Sequence, residues 1–120
     1  MRYLALIYFE EGDPATTSPE PPRSVSEAYD RFGRAAEAAG VLLGGNALQP
    51  TSTATTVRIR DRQRITTDGP FAETREALGG YYLLDCKDLD EAIEWASQIP
   101  GALTGTIEVR PILELGSEGM

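Results

Sequence analysis

Residues 68–76 place several side chains that can do chemistry within one short stretch of the chain. The stretch holds three carboxylates and one arginine beside an Asp-Gly-Pro-Phe start. Asp followed by Gly and Pro favours a turn, because the Asp side chain accepts hydrogen bonds from the backbone ahead and Gly tolerates a positive φ. In one interpretation this is only a turn with surface ion pairs, which add little stability. In the other, Asp68, Glu73 and Arg75 form a small polar pocket shielded by Phe71.

The residue types that are missing narrow the chemistry further. The chain has 120 residues with no histidine, and Cys86 is its single cysteine. These counts exclude a His-based acid–base pair, a His- or Cys-ligated metal and an internal disulfide. No Asp-rich segment has the ligand spacing of a dedicated Mg²⁺ or Ca²⁺ site, so we expect neither metal nor cofactor. The groups left for proton transfer are carboxylates and tyrosines: Asp68, Glu73, Glu108, Tyr8 and Tyr82.

Four arginines form a second candidate for binding. Arg58, Arg60, Arg62 and Arg64 recur every second residue, so an extended chain would present them on one face. Such a row could meet an anion or an acidic partner. The alternative is an edge hairpin that its charges keep soluble.

The overall charge and length limit the class of protein. The formal net charge is −8, which argues against nucleic acid as the main partner, because phosphate binding needs a basic surface. We find neither a signal peptide nor a membrane span and expect a cytoplasmic protein. The length fits one domain, which we place at residues 1–115, with a frayed tail at 116–120.

The first half of the chain predicts a strand, a loop, a helix and a second strand. Residues 2–9 are almost all apolar and predict an interior strand. The proline-rich residues 10–23 predict an exposed loop. A helix should begin at a capping box made by Ser24 and Glu27, and Gly40 should end it. Residues 41–43 resume an extended chain that meets a Gly-Gly pair, where we expect a bulge.

The second half predicts a hairpin, two strands and a helix. Residues 54–67 form the hairpin and residues 79–86 an interior strand. A second helix should begin at the N-cap Asp88, and its buried stripe is Leu89, Ala92, Ile93 and Ala96. The last strand is predicted at 106–115. This order fits an α+β, ferredoxin-like split βαβ domain with an added β-hairpin, in which both helices cover one face of the sheet.

The resemblance of the chain to a known family agrees with this order. Residues 68–76, followed by Leu-Gly-Gly-Tyr-Tyr at 78–82, resemble the signature of the DGPF subgroup of the YCII-related proteins. Further similar segments are 89–92, 95–96, 99–100, 108–112 and the opening strand with Tyr8. The resemblance implies a dimeric α+β barrel with a cleft between sheet and loops. It also suggests a regulatory link to a sigma factor. Members with attributed catalysis carry a His–Asp pair, whereas this chain has Asp68 and no His.

Two functions remain open at this point. The first is a ligand-binding or regulatory domain, a homodimer with a cleft for a small anionic or carbonyl-bearing molecule. The second is a cofactor-independent lyase or isomerase that uses Asp68 or Glu73 as its base. The absence of His favours the first. The predicted ligand-binding residues are Tyr8, Asp68, Glu73, Tyr82 and Arg110.

Overall fold

A four-stranded antiparallel sheet forms the centre of the molecule. The computed structural model describes residues 1–12 and 22–114, so most of the predicted loop at 10–23 and the tail at 116–120 lie outside the described residues. The spatial order of the sheet is β2-β5-β1-β6. Its strands are β1 (Arg2–Phe9), β2 (Leu42–Ala47), β5 (Ala77–Asp85) and β6 (Thr106–Pro111). The strand at residues 2–9 is therefore confirmed and is central in the sheet. Its side chains alternate between buried and half-buried, so the cover expected on both faces of an interior strand is found on one face only within the described residues.

Two helices connect the strands as the sequence predicts, and the result is a ferredoxin-like α+β arrangement. Helix α1 (Arg23–Ala38) joins β1 to β2, and helix α2 (Leu89–Ala96) joins β5 to β6. The core lies between these helices and one face of the sheet. Its fully or almost fully buried side chains include Ala5, Phe32, Leu84, Ala92 and Ile99.

The two ends of α1 differ in how well the sequence predicts them. The predicted cap at Ser24 is wrong: Pro22 precedes the helix, no side chain caps it, and Val25 N–H donates to the Pro22 carbonyl at 2.9 Å. Glu27 instead forms an ion pair with Arg23, one turn earlier, at 3.1 Å. The predicted end at Gly40 is confirmed by its φ of +73°. Gly40 N–H donates to Glu37 and Val41 N–H to Ala36, which is a Schellman motif.

Helix α2 has the predicted cap but only half of the predicted buried stripe. The Asp88 carboxylate accepts a hydrogen bond from Glu91 N–H at 2.9 Å, and the Glu91 carboxylate accepts one from Lys87 N–H at 3.0 Å. Ala92 and Ala96 are buried as predicted. Leu89 and Ile93 are exposed, so their assignment to the core is wrong.

The added hairpin stands apart from the main sheet. Strands β3 (Thr55–Arg60) and β4 (Gln63–Asp68) pair in a two-stranded sheet, which we call the ribbon (residues 55–68). Asp61 and Arg62 connect them in a two-residue turn, both with positive φ. The prediction that four arginines share one face is wrong. Arg58 pairs with Ile65 whereas Arg64 pairs with Ile59, which puts Arg58 and Arg64 on opposite faces.

Candidate functional site

The main sheet separates the two tyrosines that the sequence placed in one cleft. Tyr82 pairs with the buried residue Ala5 and its ring packs 5.0 Å from that of Phe32, so it lies on the helix-covered face. Tyr8 lies on the other face, where its hydroxyl is 3.5 Å from Glu108. A single cleft walled by both tyrosines is therefore wrong for one chain.

A cavity of about 430 Å³ opens on the helix-covered side, between the first turns of α1 and the sheet. Its size is within the range of small-molecule sites. Its wall is mostly apolar and aromatic. The lining residues are Ile7, Phe9, Val25, Ser26, Tyr29, Asp30, Asn46, Ala47, Leu48, Tyr81 and Tyr82, together with the glycines at 45, 79 and 80.

Two glycines explain how the aromatic walls come so close to the sheet. A Cβ atom on Gly45 would lie 2.7 Å from the ring of Tyr82, and one on Gly79 would overlap the ring of Phe9. Both positions lie beside irregularities in strand pairing, in β2 and between β1 and β5. The rings therefore rest on bare backbone, which leaves the volume above them for the cavity.

Two phenol groups at the cavity have a raised pKa. Burial raises the pKa of Tyr29 above its ordinary value, although the Gly101 backbone lowers it slightly. Burial likewise raises the pKa of Tyr82, and the nearby Tyr29 and Asp30 raise it further. Both hydroxyls therefore remain protonated hydrogen-bond donors at neutral pH.

The charge in the cavity is acidic. Asp30 is the charged residue of the lining, which includes no lysine or arginine among the described residues. The amide of Asn46 donates to the Tyr81 hydroxyl at 3.0 Å, and this side-chain pair lies on the other face of the sheet, because Tyr81 pairs with Leu6. A site of this kind favours a neutral or cationic ligand over an anion, because an anion would be desolvated beside a carboxylate.

The Asp-Gly-Pro-Phe segment forms the predicted turn after the ribbon. Gly69 has a φ of +102°. Its N–H donates to the Ala54 carbonyl at 2.7 Å, and its carbonyl accepts from the Thr56 hydroxyl at 2.8 Å. Phe71, however, is 78 % exposed, so it does not shield a pocket within the chain.

The charged groups near this turn have other partners than the sequence suggested. Arg75 pairs with Glu10 at the end of β1, at 2.6 Å. Glu76 accepts a hydrogen bond from the Thr106 hydroxyl at 2.8 Å. Within residues 1–12 and 22–114, no ion pair joins Arg110 to Asp68 or Glu73. These groups tie the segment to the ends of β1 and β6 and do not gather into a pocket.

Sequence reasoning found part of the cavity and missed the rest. Tyr82 was among the predicted binding residues and lines the cavity. Tyr29, Asp30 and Asn46 also line it, and none of them was among the predicted binding residues. The two Gly-Gly pairs, at 44–45 and 79–80, were the available signal. They mark where two strands let a ring approach the backbone.

The described residues form neither a metal site nor a membrane-spanning helix. There, no group of three or more His, Cys, Asp or Glu side chains is placed to hold a metal ion. Over the same residues, no helix has the length and apolar character needed to cross a membrane.

The fold and cavity define a small ferredoxin-like α+β domain with one aromatic-walled site beside its first helix. The family model of the YCII-related domain matches residues 1–116, and the chain belongs to this family. The chain is also similar to an uncharacterized protein of Rhizobium meliloti (strain 1021). The two are 40 % identical over 114 residues, which cover 93 % of this chain and 92 % of that protein.

Proposed function

We propose that this chain is a small-molecule-binding domain whose ligand occupies the cavity between α1 and the sheet. The observation that supports this proposal is the aromatic-walled volume of about 430 Å³ above the glycine floor. A domain of this size gains stability by filling such a volume with side chains. Here Gly45 and Gly79 let the rings of Tyr82 and Phe9 lie against the backbone, and the volume above those rings stays open.

The ligand we propose is aromatic, neutral or cationic, and bears a carbonyl or similar acceptor. The aromatic walls favour a flat ring. The protonated hydroxyl of Tyr82 can donate to an acceptor. The anionic ligand expected from the sequence was inferred for a pocket with Arg75 and Arg110, and neither residue lines this cavity.

A homodimer through the open sheet face is part of the proposal. Leu4, Leu6 and Leu83 are half-buried there, and within the described residues no helix covers them. Burying such a face is worth about 25 cal/mol per Å². Sedimentation equilibrium should give a dimer mass for the wild type and a lower mass for Leu6→Glu. A wild-type monomer at micromolar concentration would contradict the proposed dimer.

The regulatory link to a sigma factor stays a prediction of the resemblance.

The acid–base enzyme is less well supported at the residues first named for it. Asp68 and Glu73 are exposed and lie outside the cavity, whose described lining has Asp30 as its carboxylate. We therefore propose binding without turnover. The DGPF subgroup and the cytoplasmic location remain predictions.

Two related dyes test both the cavity and its charge preference. N-phenyl-1-naphthylamine is neutral, and 8-anilinonaphthalene-1-sulfonate adds a sulfonate to the same aromatic system. We expect the neutral dye to bind more tightly, with about one dye per chain. Asp30→Asn should narrow the difference, because it removes the carboxylate that disfavours the sulfonate.

A matched pair of variants on β2 locates the bound dye. Ala47→Phe places a ring in the cavity lining and should weaken binding, whereas Leu43→Phe adds a ring on the same strand outside the lining and should not. Both residues are exposed, so neither change overpacks the core. Equal binding by both variants, or no binding of either dye, would contradict the proposed site.

A further inference from the structure

The ribbon exposes apolar side chains that a single chain leaves uncovered. Val57 is 58 % and Ile59 59 % exposed. The radius of gyration is 16.2 Å, whereas a compact chain of this length has about 14 Å. A two-stranded hairpin is marginally stable by itself in water. The ribbon therefore needs support from outside its own two strands.

The two faces of the ribbon carry different chemistry. Val57 and Ile59 lie on one face together with Arg64, which pairs directly with Ile59. Arg58 and Arg60 lie on the opposite face. The first face is a small apolar patch with Arg64 at its margin, whereas the second face carries Arg58, Arg60 and the exposed Ile65.

Helix α2 carries the complementary pattern. Leu89 and Ile93, one turn apart, are 48 % and 51 % exposed. Each is followed along the chain by an acidic residue, Asp90 and Glu94 respectively, which are also one turn apart and exposed. This surface, made by residues 89, 90, 93 and 94, is an apolar patch with an acidic margin.

Spacing and charge agree between the two surfaces. Alternate residues of a strand are about 6.6 Å apart. Residues one helical turn apart are separated by about 5–6 Å. The ribbon holds four arginines and two aspartates and so carries +2, whereas the chain as a whole carries −8; all residues outside the ribbon together carry −10. A second copy of the same chain is thus an acidic partner for the ribbon.

We propose that the ribbon of one chain packs against α2 of a second copy, with Val57 and Ile59 on Leu89 and Ile93. Arg64 then faces the carboxylates of Asp90 and Glu94. We take a second copy as the partner because the same chain carries both exposed surfaces and they match in spacing and charge. This contact is separate from the cavity and from the open sheet face.

Cross-linking between two variants tests the contact directly. Cys86 is 2 % exposed, so thiol cross-linkers report introduced cysteines. Val57→Cys mixed with Ile93→Cys, treated with a short bismaleimide, should give a covalent dimer of the two different variants. Arg58→Cys mixed with Ile93→Cys is the matched control, because Arg58 lies on the other ribbon face; it should give much less product. Product from Val57→Cys alone would show ribbon-to-ribbon pairing and overturn the proposal.

A charge exchange tests the same contact without labels. Arg64→Glu and Glu94→Arg should each weaken self-association on the order of tenfold, and the double variant should recover most of it. Arg58→Glu should leave association unchanged. Failure of the double variant to recover, or an equal loss in Arg58→Glu, would overturn the proposal. Dye binding to the cavity should be unaffected throughout, which keeps this test distinct from that of the proposed function.

Discussion

Gly79 on β5 lies directly beneath the ring of Phe9 at the end of β1. A Cβ atom at Gly79 would overlap that ring, whereas one at Gly44 would meet nothing within 4 Å. The same contact fixes a cavity wall, since both residues line the cavity. A backbone detail of one strand thus sets the shape of the candidate site.

We expect Gly79→Ala to destabilise the protein by about 1–3 kcal/mol, as overpacked sites do. The displaced Phe9 ring should also weaken binding of the neutral dye. Urea unfolding measures the first effect and a fluorescence titration the second. Gly44→Ala is the control and should change stability by no more than about 0.5 kcal/mol. Similar losses in both variants would show that the Phe9 contact is not the cause.

The sequence predicted the order of elements because that order depends on local patterns. The apolar run of β1, the Asp88 cap and the Gly40 end all follow from residues close together in the chain. The exposure of Leu89 and Ile93 could not be predicted in this way, because the spacing of apolar residues along a helix does not show how much of the helix its neighbours cover. The helix is covered on the side of Ala92 and Ala96, and the two larger side chains lie beyond that cover.

The two predicted helix caps provide a second test. Asp88→Ala should cost about 1 kcal/mol, because it removes the acceptor for Glu91 N–H at 2.9 Å. Ser24→Ala should have almost no effect, because α1 begins after Pro22 and no side chain caps it. The thermal unfolding midpoints of the two variants measure these losses of stability. A loss at Ser24 as large as at Asp88 would show that α1 begins two residues later in solution, at Val25.

The candidate site was harder to predict, because it depends on register and not on residue type. Tyr8 and Tyr82 are both aromatic and both lie on interior strands, yet the antiparallel pairing puts them on opposite faces. Asp68 and Glu73 lie close to a turn in the sequence, but neither residue lines the cavity. Tyr29 and Asp30 reach the cavity because α1 crosses the sheet there.

Acid should weaken the link between the two ends of the described chain. Arg2 donates to Glu114 at 2.9 and 3.0 Å, and these bonds hold the pKa of Glu114 below its ordinary value. Because the folded pKa is lowered, the stabilisation is present above the unfolded value of about 4.3 and is lost as pH falls through the folded value. Glu114→Gln should flatten this acid loss in a plot of unfolding free energy against pH. Arg2→Gln should flatten it equally, and a wild-type slope in either variant would contradict the pairing.

Cys86 should react slowly with thiol reagents. It is buried, and burial raises the pKa of its thiol, as do the nearby Glu91 and Asp85. We expect its modification by Ellman's reagent at neutral pH to be at least about tenfold slower than that of glutathione. Unfolding in urea should release one fast-reacting thiol per chain. A fast reaction without denaturant would show that the strand end opens readily.

Alkali should destabilise the protein through the cavity tyrosines. Burial raises the folded pKa of Tyr82, with Tyr29 and Asp30 as further causes, so the unfolded chain loses this proton first. The free energy of unfolding should therefore fall as pH rises from about 10, the unfolded value, through the folded pKa. Tyr82→Phe should reduce that fall without removing it, because burial also raises the pKa of Tyr29. Urea unfolding between about pH 8 and about pH 11 measures the slope, and ultraviolet titration counts the late-ionising phenols. An unchanged slope in Tyr82→Phe would mean that this hydroxyl is hydrated and that the cavity admits water to its floor.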